Sequence, residues 1–336
     1  MQKNLAVGYF YNEPFTPICA KWAHRIREVF FAWPGVLSCR PAPEFTPELE
    51  ERLYADLKFC REHGILLDTL FNCNCYGDIA VSHELSDFVA STIDAMGEKG
   101  LLPDIVTTTS PFIAGEIRRR YPDIRIRGSV NLRIHGTIGF EYVGELFDSF
   151  YVSRERQRDF GYMTSCAEWA AKNGKELGMQ LNSGCLRQCP FQQFHDNLHG
   201  HNRLRQSEVG KEMDFEIFRC RTIYRQKHFE EFIRATWIRP EDAALFERYV
   251  SVMKIATRRI AKPTAIVEAY ASGSFDGNLL ELMDPVHADA FAPLAIDNKS
   301  FPADWATSGI GGKCANSCIR CGKCADLLAK VLKEAN

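Results

Sequence analysis

The 336-residue chain has no apolar run long enough to span a bilayer and no signal-peptide pattern at its start. A cytoplasmic protein without membrane insertion is therefore expected. Its net charge of −2 gives nucleic acid little support as a partner. No glycine-rich phosphate loop follows an early strand, which weighs against a doubly wound dinucleotide-binding sheet. An H-E-x-x-H motif and a nucleophile-elbow serine are both missing, so a protease mechanism lacks visible machinery. Low-complexity segments are missing too, and no repeat shows beyond a β/α period.

What the chain has in excess is cysteine. Thirteen cysteines, an odd number in a chain without a secretion signal, argue against a disulfide framework. Seven lie in two places: Cys185, Cys189 and Cys220, then Cys314, Cys318, Cys321 and Cys324. Metal or iron–sulfur ligation accounts for such grouping. Cys19 and Cys60 read instead as small core residues, Cys60 continuing the helical stripe Leu49, Leu53, Leu57.

Eight short apolar segments read as strands: 5–10, 28–33, 65–72, 104–109, 124–131, 146–152, 179–182 and 252–257. Helical patterns such as 48–63 and 84–96 alternate with them, and 240–249 reads as a further helix. The expected fold is α/β, a TIM-like (β/α)8 barrel over 1–265. An insert over 186–235 follows strand seven, and its His- and Arg-rich start fits no regular element. A short helical extension (266–312) and a Cys-rich iron–sulfur tail (313–336) complete the chain.

The tail spells C-x3-C-x2-C-x2-C. Structural zinc sites usually separate two knuckles by about a dozen residues, whereas consecutive short gaps resemble runs that wrap a cubane cluster. A [4Fe-4S] cluster is expected there, with zinc as the alternative. Cys314, Cys318 and Cys321 alone match the radical S-adenosylmethionine spacing. Cys324 supplies a fourth thiolate, however, and the position at the C-terminus is wrong for it.

At the other site, Ser183 and Gly184 end strand seven and turn the chain toward Cys185 and Cys189. With Cys220 these make three thiolates. A fourth ligand would come from Cys39, Cys73, Cys75 or Cys166, unless one iron stays open. Asn72, Asn131, Arg133, Arg154, Asn182, Arg239 and Arg258 fall at or just past strand ends, where a barrel keeps its chemistry. Arginine grips carboxylates and phosphates in a bidentate manner, so an anionic substrate is expected. His195, Arg133, Arg154 and Arg239 are candidate catalytic residues. His195, His199 and His201 suggest zinc, but they share a polar segment with Arg203 and Arg205. Substrate contact by His195 is the better reading.

The order of these features resembles the peptidase U32 family. The residues that carry the resemblance are Cys185, Cys189 and Cys220, the segment Ile238-Arg239-Pro240-Glu241-Asp242, and the strand Lys254 to Arg258. An Ile296-Asp297-Asn298 segment before a cysteine-rich tail is similar to a branch from anaerobes. The resemblance implies a U32-type barrel and, for several members, iron–sulfur proteins supporting oxygen-independent hydroxylation of the ubiquinone ring, tRNA or ribosomal RNA. It also implies Cys39 as the fourth ligand beside Cys185, Cys189 and Cys220. The expected protein is an oxygen-sensitive oxidoreductase with two [4Fe-4S] clusters. Its substrate would be an anionic small molecule, or an RNA- or quinone-like one. A redox partner protein, a second U32-type chain or a second copy are the expected partners. A U32-type peptidase and an electron-carrier or assembly protein are the alternatives.

Overall fold

Eight parallel strands close into a barrel in chain order. They are β1 (Leu5–Gly8), β2 (Ile26–Phe31), β3 (Leu66–Phe71), β4 (Ile105–Thr108), β5 (Arg125–Gly128), β6 (Ser149–Tyr151), β7 (Glu176–Gln180) and β8 (Val252–Ile255). The last returns to the first, with Leu5 opposite Met253 and Val7 opposite Ile255. This is a computed structural model, and it describes residues 2–36, 38, 45–204, 219–257, 260–309, 312–314 and 318–335.

The outer ring is built from α1 (Thr16–Trp22), α2 (Pro47–Glu62), α3 (His83–Glu98), α4 (Pro111–Arg120), α5 (Thr137–Val143) and α6 (Phe160–Asn173). Local signals set their starts. Thr46, Ser82, Ser110 and Asp159 each accept a hydrogen bond from a backbone N–H three residues on. Cys19 and Cys60 are buried between α1 and α2 with their sulfurs 4.0 Å apart, matching the core reading.

Ion pairs fill part of the barrel interior. Arg127 on β5 pairs with both carboxylate oxygens of Glu28 on β2 and donates to Ser149 Oγ (3.1 Å) and Tyr151 Oη (3.2 Å). Asp68 on β3 accepts from Thr107 Oγ1 at 2.8 Å and lies 3.4 Å from Arg127 Nη1. An apolar cluster of Ala6, Phe30, Leu70, Val130, Tyr151 and Val252 also forms in the buried core. Gly178 on β7 makes room for it, since a Cβ there would meet the Tyr151 ring at 2.7 Å.

The insert departs from expectation. Among its described residues it is largely helical rather than irregular, with α7 (Gln192–Leu204), α8 (Arg219–Arg225) and α9 (Glu230–Arg234). Dense His and Arg residues obscured the helical period of α7, and the shorter helices bury Tyr224 on α8 and Phe232 and Ile233 on α9. The expected helix over 240–249 is instead a 3-10 segment, Pro240–Phe246. A bidentate Arg239–Asp242 pair (2.7 and 3.1 Å), three residues apart, spans that tighter turn.

Beyond β8, α10 (Pro263–Ser272), α11 (Ala288–Phe291) and β9 (Leu294–Ile296) lead to α12 (Lys323–Val331) and β10 (Leu332–Glu334). The chain's last strand pairs antiparallel with β9, Leu332 opposite Ile296. Leu327 and Val331 of α12 are buried. The cysteine segment is thus anchored at its C-terminal side by apolar packing and a strand pair.

A cysteine and arginine site at the barrel mouth

The loop after β7 begins with a staple. Asn182 donates to Ala256 O (2.7 Å) and Leu282 O (2.9 Å) and accepts from Ala256 N (2.8 Å), tying the loop to the end of β8. Asn182 therefore holds the loop and does not face ligand. Gly184 passes so close to the 283–287 segment that a Cβ would lie 2.5 Å from Pro285 O. Its carbonyl is 2.9 Å from His287 Nε2, and burial pulls that imidazole down to about 4.

Cys185, Cys189 and Cys220 follow from this loop and from α8, each partly buried. Their thiols lie within one another's field. Burial first, then Cys185 and Cys189, push the Cys220 thiol up to about 11. Tyr224, one helical turn beyond Cys220, is fully buried, and its Oη has no hydrogen-bond partner among the described residues. After burial, Cys220 and then Cys185 do most to raise its phenol, with Cys189 a smaller contributor. A buried hydroxyl donor in the field of three thiols fits an inorganic centre whose sulfurs accept hydrogen bonds. Among the described residues no three His, Cys, Asp or Glu side chains are drawn together into a metal-holding group.

The remaining ligand candidates part company. Cys73 is buried, with its thiol donating to Cys75 O at 2.9 Å, and Cys75 is half-buried. Cys166 is buried in the core on α6, where burial pushes its thiol up to about 11. Cys39, expected as the fourth ligand, lies outside the described residues, as do Arg258 and Arg205. His199, His201 and Arg203 fall on α7, their side chains outside the described set.

Beside the cysteines is a cavity of about 400 Å³, with Cys189 in its wall. Four arginines line it, Arg133, Arg154, Arg156 and Arg187, against one carboxylate, Glu155. Two of the expected catalytic residues, Arg133 and Arg154, are thus brought together. Arg154 follows β6 and is held by its neighbours. Its guanidinium reaches Asn131 Oδ1 (3.5 Å) and Cys185 Sγ (4.0 Å), and its carbonyl accepts from Thr236 Oγ1. Arg133 and Gln188 both line the cavity with positive φ, 55° and 53°. Such left-handed backbone at non-glycine residues concentrates at functional sites.

A smaller space of about 40 Å³ opens toward the barrel axis, bounded by Asn72, Asn131, Arg154, Gln180, Asp196 and Lys254, among others. Lys254 on β8 has its Nζ 4.0 Å from the Phe30 ring centre and 4.9 Å from that of Tyr151. Its strand had been read as a motif, and only the barrel closure reveals that this lysine points inward. Asp196, Arg156 and Arg187 were likewise missed, because their roles depend on where the insert and the loops dock.

Two expected catalytic residues are not part of this cavity. Arg239 is buried, paired with Asp242, donating to Asn298 O (3.1 Å) and lying over the Phe301 ring at 5.0 Å. Asn298 in turn donates to Glu241 Oε1 (2.8 Å) and Phe275 O (2.7 Å). The two segments singled out by sequence, 238–242 and 296–298, hold each other. His195 sits half-buried on α7, next to Asp196, and is not among the cavity-lining residues.

The cavity also contains a serine–histidine pair. Ser153 Oγ and His135 Nδ1 are 2.9 Å apart, and Tyr162 ties their loops together through Ser153 N (3.1 Å) and Ile134 O (3.0 Å). A sequence search for a nucleophile elbow misses such a pair, because the residues come from loops after β5 and β6.

The tail cysteines lie against the same region. Cys314 and Cys324 are half-buried, Cys318 and Cys321 exposed. Arg158 is fully enclosed, stacked over Trp305 at 5.0 Å and Trp237 at 5.6 Å. Burial and then Arg187 pull its guanidinium down to about 10, while Cys324 and Cys314 oppose that fall. A buried cation in the field of two tail thiols, Cys314 and Cys324, suits a centre of net negative charge.

No family model matches the chain. Among curated proteins it is similar to the uncharacterized protease MJ1657 of Methanocaldococcus jannaschii, 22% identical over 312 residues, spanning 91% of this chain and 89% of that one. Among solved structures it is similar to the U32 peptidase Mk0906, with a TM-score of 0.55 at 14% identity, covering 76% of this chain and 92% of the other. A xylanase and alpha-amylase inhibitor protein from Scadoxus multiflorus aligns over 53% of this chain and 78% of its own, at 12% identity and a TM-score of 0.35, too distant to carry an argument.

Proposed function

We propose that this chain, a member of the peptidase U32 family, is an iron–sulfur oxidoreductase acting on a small anionic molecule at the barrel mouth. The observation that carries this reading is the position of Cys189 in the wall of an arginine-lined cavity, with Cys185 Sγ 4.0 Å from Arg154. Cys185, Cys189 and Cys220 would hold one cluster, with Cys39 as the fourth ligand implied by the family resemblance. Cys314, Cys318, Cys321 and Cys324 would hold the second, with zinc as the alternative there. When bound, such clusters supply one-electron transfer at thiolate-ligated iron.

The protein's own residues do the rest. Arg133, Arg154 and Arg187 bind and orient the anion. The buried indoles of Trp237 and Trp305 keep water from Arg158 behind the tail cysteines. Oxygen-independent hydroxylation is the redox chemistry that the family resemblance favours. The test is iron and acid-labile sulfide analysis with electron paramagnetic resonance on anaerobically purified protein. About eight iron atoms per chain are expected for two cubane clusters. Protein without iron sinks the reading.

A peptidase is the second reading, favoured by the Ser153–His135 pair and by the name of the archaeal relative. In it, Ser153 would attack the peptide carbonyl as its proton passes to His135; His135 would return that proton to the amine as the C–N bond breaks, and water would then hydrolyse the acyl-serine ester. Peptide cleavage that survives iron removal and disappears in Ser153→Ala would support it over the first.

A further inference from the structure

The Arg133–Arg154 pair already grips a carboxylate, and that carboxylate belongs to the insert. Asp196 Oδ2 lies 2.6 Å from Arg133 Nη2 and 3.8 Å from Arg154 Nη2, so one oxygen is shared by two guanidinium groups. Gln192, one helical turn earlier on α7, turns its amide oxygen to the same Arg154, 3.2 Å from Nη1. The helix starts directly after the cysteine loop, with Gln192 N bonded to Cys189 O at 3.2 Å. Its first two turns therefore present an amide and a carboxylate to the arginine that faces Cys185.

We infer that the Arg133–Arg154 pair is a carboxylate-binding subsite and that Asp196 is its internal occupant, displaced when a carboxylate-bearing small molecule binds. This rests on the anionic-substrate part of the reading above. Three features distinguish it from an ordinary salt bridge. Arg133 is aimed into the mouth from left-handed backbone, a strain that surface pairing does not require. The pair is partly sheltered, at 9% exposure for the Arg154 side chain and 18% for that of Asp196, where charge-assisted hydrogen bonds are strong. The cavity also carries more guanidinium groups than carboxylates, so it stays cationic with Asp196 in place.

An internal carboxylate taxes every external one. A ligand must compete with a partner held at high effective concentration, which lowers its apparent affinity by the fraction of time the pair is open. Malonate is a suitable probe, and inorganic phosphate tests the other anion that arginines grip. Both are titrated by calorimetry against the full chain as purified, with wild type, Asp196→Asn, Asp196→Ala and Asp196→Asn/Arg133→Gln compared. Thermal melts confirm that each variant folds. Asp196→Asn and Asp196→Ala should bind malonate about tenfold tighter than wild type, and Arg133→Gln should abolish the gain. Hydrogen exchange across 192–204 should rise in wild type at saturating malonate.

Variants that bind malonate no tighter than wild type, or not at all, overturn the inference. So does a gain for phosphate that malonate does not share. The measurement needs no iron: a cluster-free protein that passes leaves this inference standing while the oxidoreductase reading falls. Iron-loaded protein whose Asp196 variants show no gain does the reverse.

Discussion

Arg187 Nη1 lies 4.0 Å from Cys314 Sγ, which puts the C-terminal cysteine segment against the loop that carries Cys185 and Cys189. Arg187 and Cys314 are 127 residues apart in sequence, yet this one side chain joins the two cysteine neighbourhoods. That contact is a charge-assisted one, worth about 1.5 kcal/mol or a tenfold change in local opening. Arg187→Ala should therefore raise the alkylation rate of Cys314 about tenfold in metal-stripped protein kept anaerobic, followed by mass spectrometry. Arg187→Lys should fall between. Equal rates in all three proteins would mean that the tail is seated by β10 and α12 alone.

Separate centres should fail separately. Cys185→Ser or Cys189→Ser should remove about four iron atoms per chain and leave the tail centre's paramagnetic signal intact. Cys321→Ser, at an exposed position, should do the opposite. Loss of both signals from any one substitution would mean shared ligands or collapse of the mouth. Either result is read from iron analysis and spectra of the same preparations.

The eight strands were legible because each is a short apolar run bounded by turn residues and followed by a helical period. The barrel's contents were not. Glu28, Asp68, Arg127 and Lys254 look like interruptions of strand patterns, and only closure of the sheet turns them toward one another. The site divides in the same way. Cys185, Cys189, Arg133 and Arg154 announced themselves through residue type at strand ends. Asp196 and Arg187 did not, since a carboxylate or guanidinium in a polar segment carries no sign of the loop it will meet. Arg239 misled for the converse reason. A strand-end arginine reads alike whether it faces a ligand or, as here, an aspartate three residues on.

The barrel interior should leave a signature in the pH dependence of stability. Burial pushes the Asp68 carboxyl up to about 7, against the opposing pull of Arg127. The folded protein then keeps a proton that the unfolded chain has already released, between about pH 4 and pH 7. Stability from this group is greatest at the acidic end and is lost as pH rises through that window. His287 acts in the opposite sense. Its imidazole is pulled down to about 4, so the unfolded chain binds the extra proton and stability falls below about pH 6.5. Asp68→Asn should therefore unmask a slope that rises from pH 4.5 to 6.5 in urea-denaturation midpoints. Midpoints in Asp68→Asn that track wild type across the range would show that Asp68 is ionised in the fold.

Tyr224 provides the sharpest test of whether the mouth thiols enclose an inorganic centre. Its hydroxyl is fully buried without a partner among the described residues, a condition that costs about 1–3 kcal/mol. Removing it should therefore help a metal-free protein. Tyr224→Phe stripped of metal should gain about 1 kcal/mol or more in denaturant unfolding over stripped wild type. If the proposed mouth cluster is bound, the same hydroxyl would have sulfurs to donate to, and hydrogen bonds to sulfur are among the determinants of cluster potential. Loss of a donor disfavours the more negative, reduced state, so Tyr224→Phe should move the mouth centre to a lower midpoint in a redox titration followed by electron paramagnetic resonance. The tail signal should not move. A stripped variant no more stable than wild type, with an unshifted midpoint when loaded, would mean that the hydroxyl satisfies itself elsewhere and that the three thiols do not surround a shared acceptor.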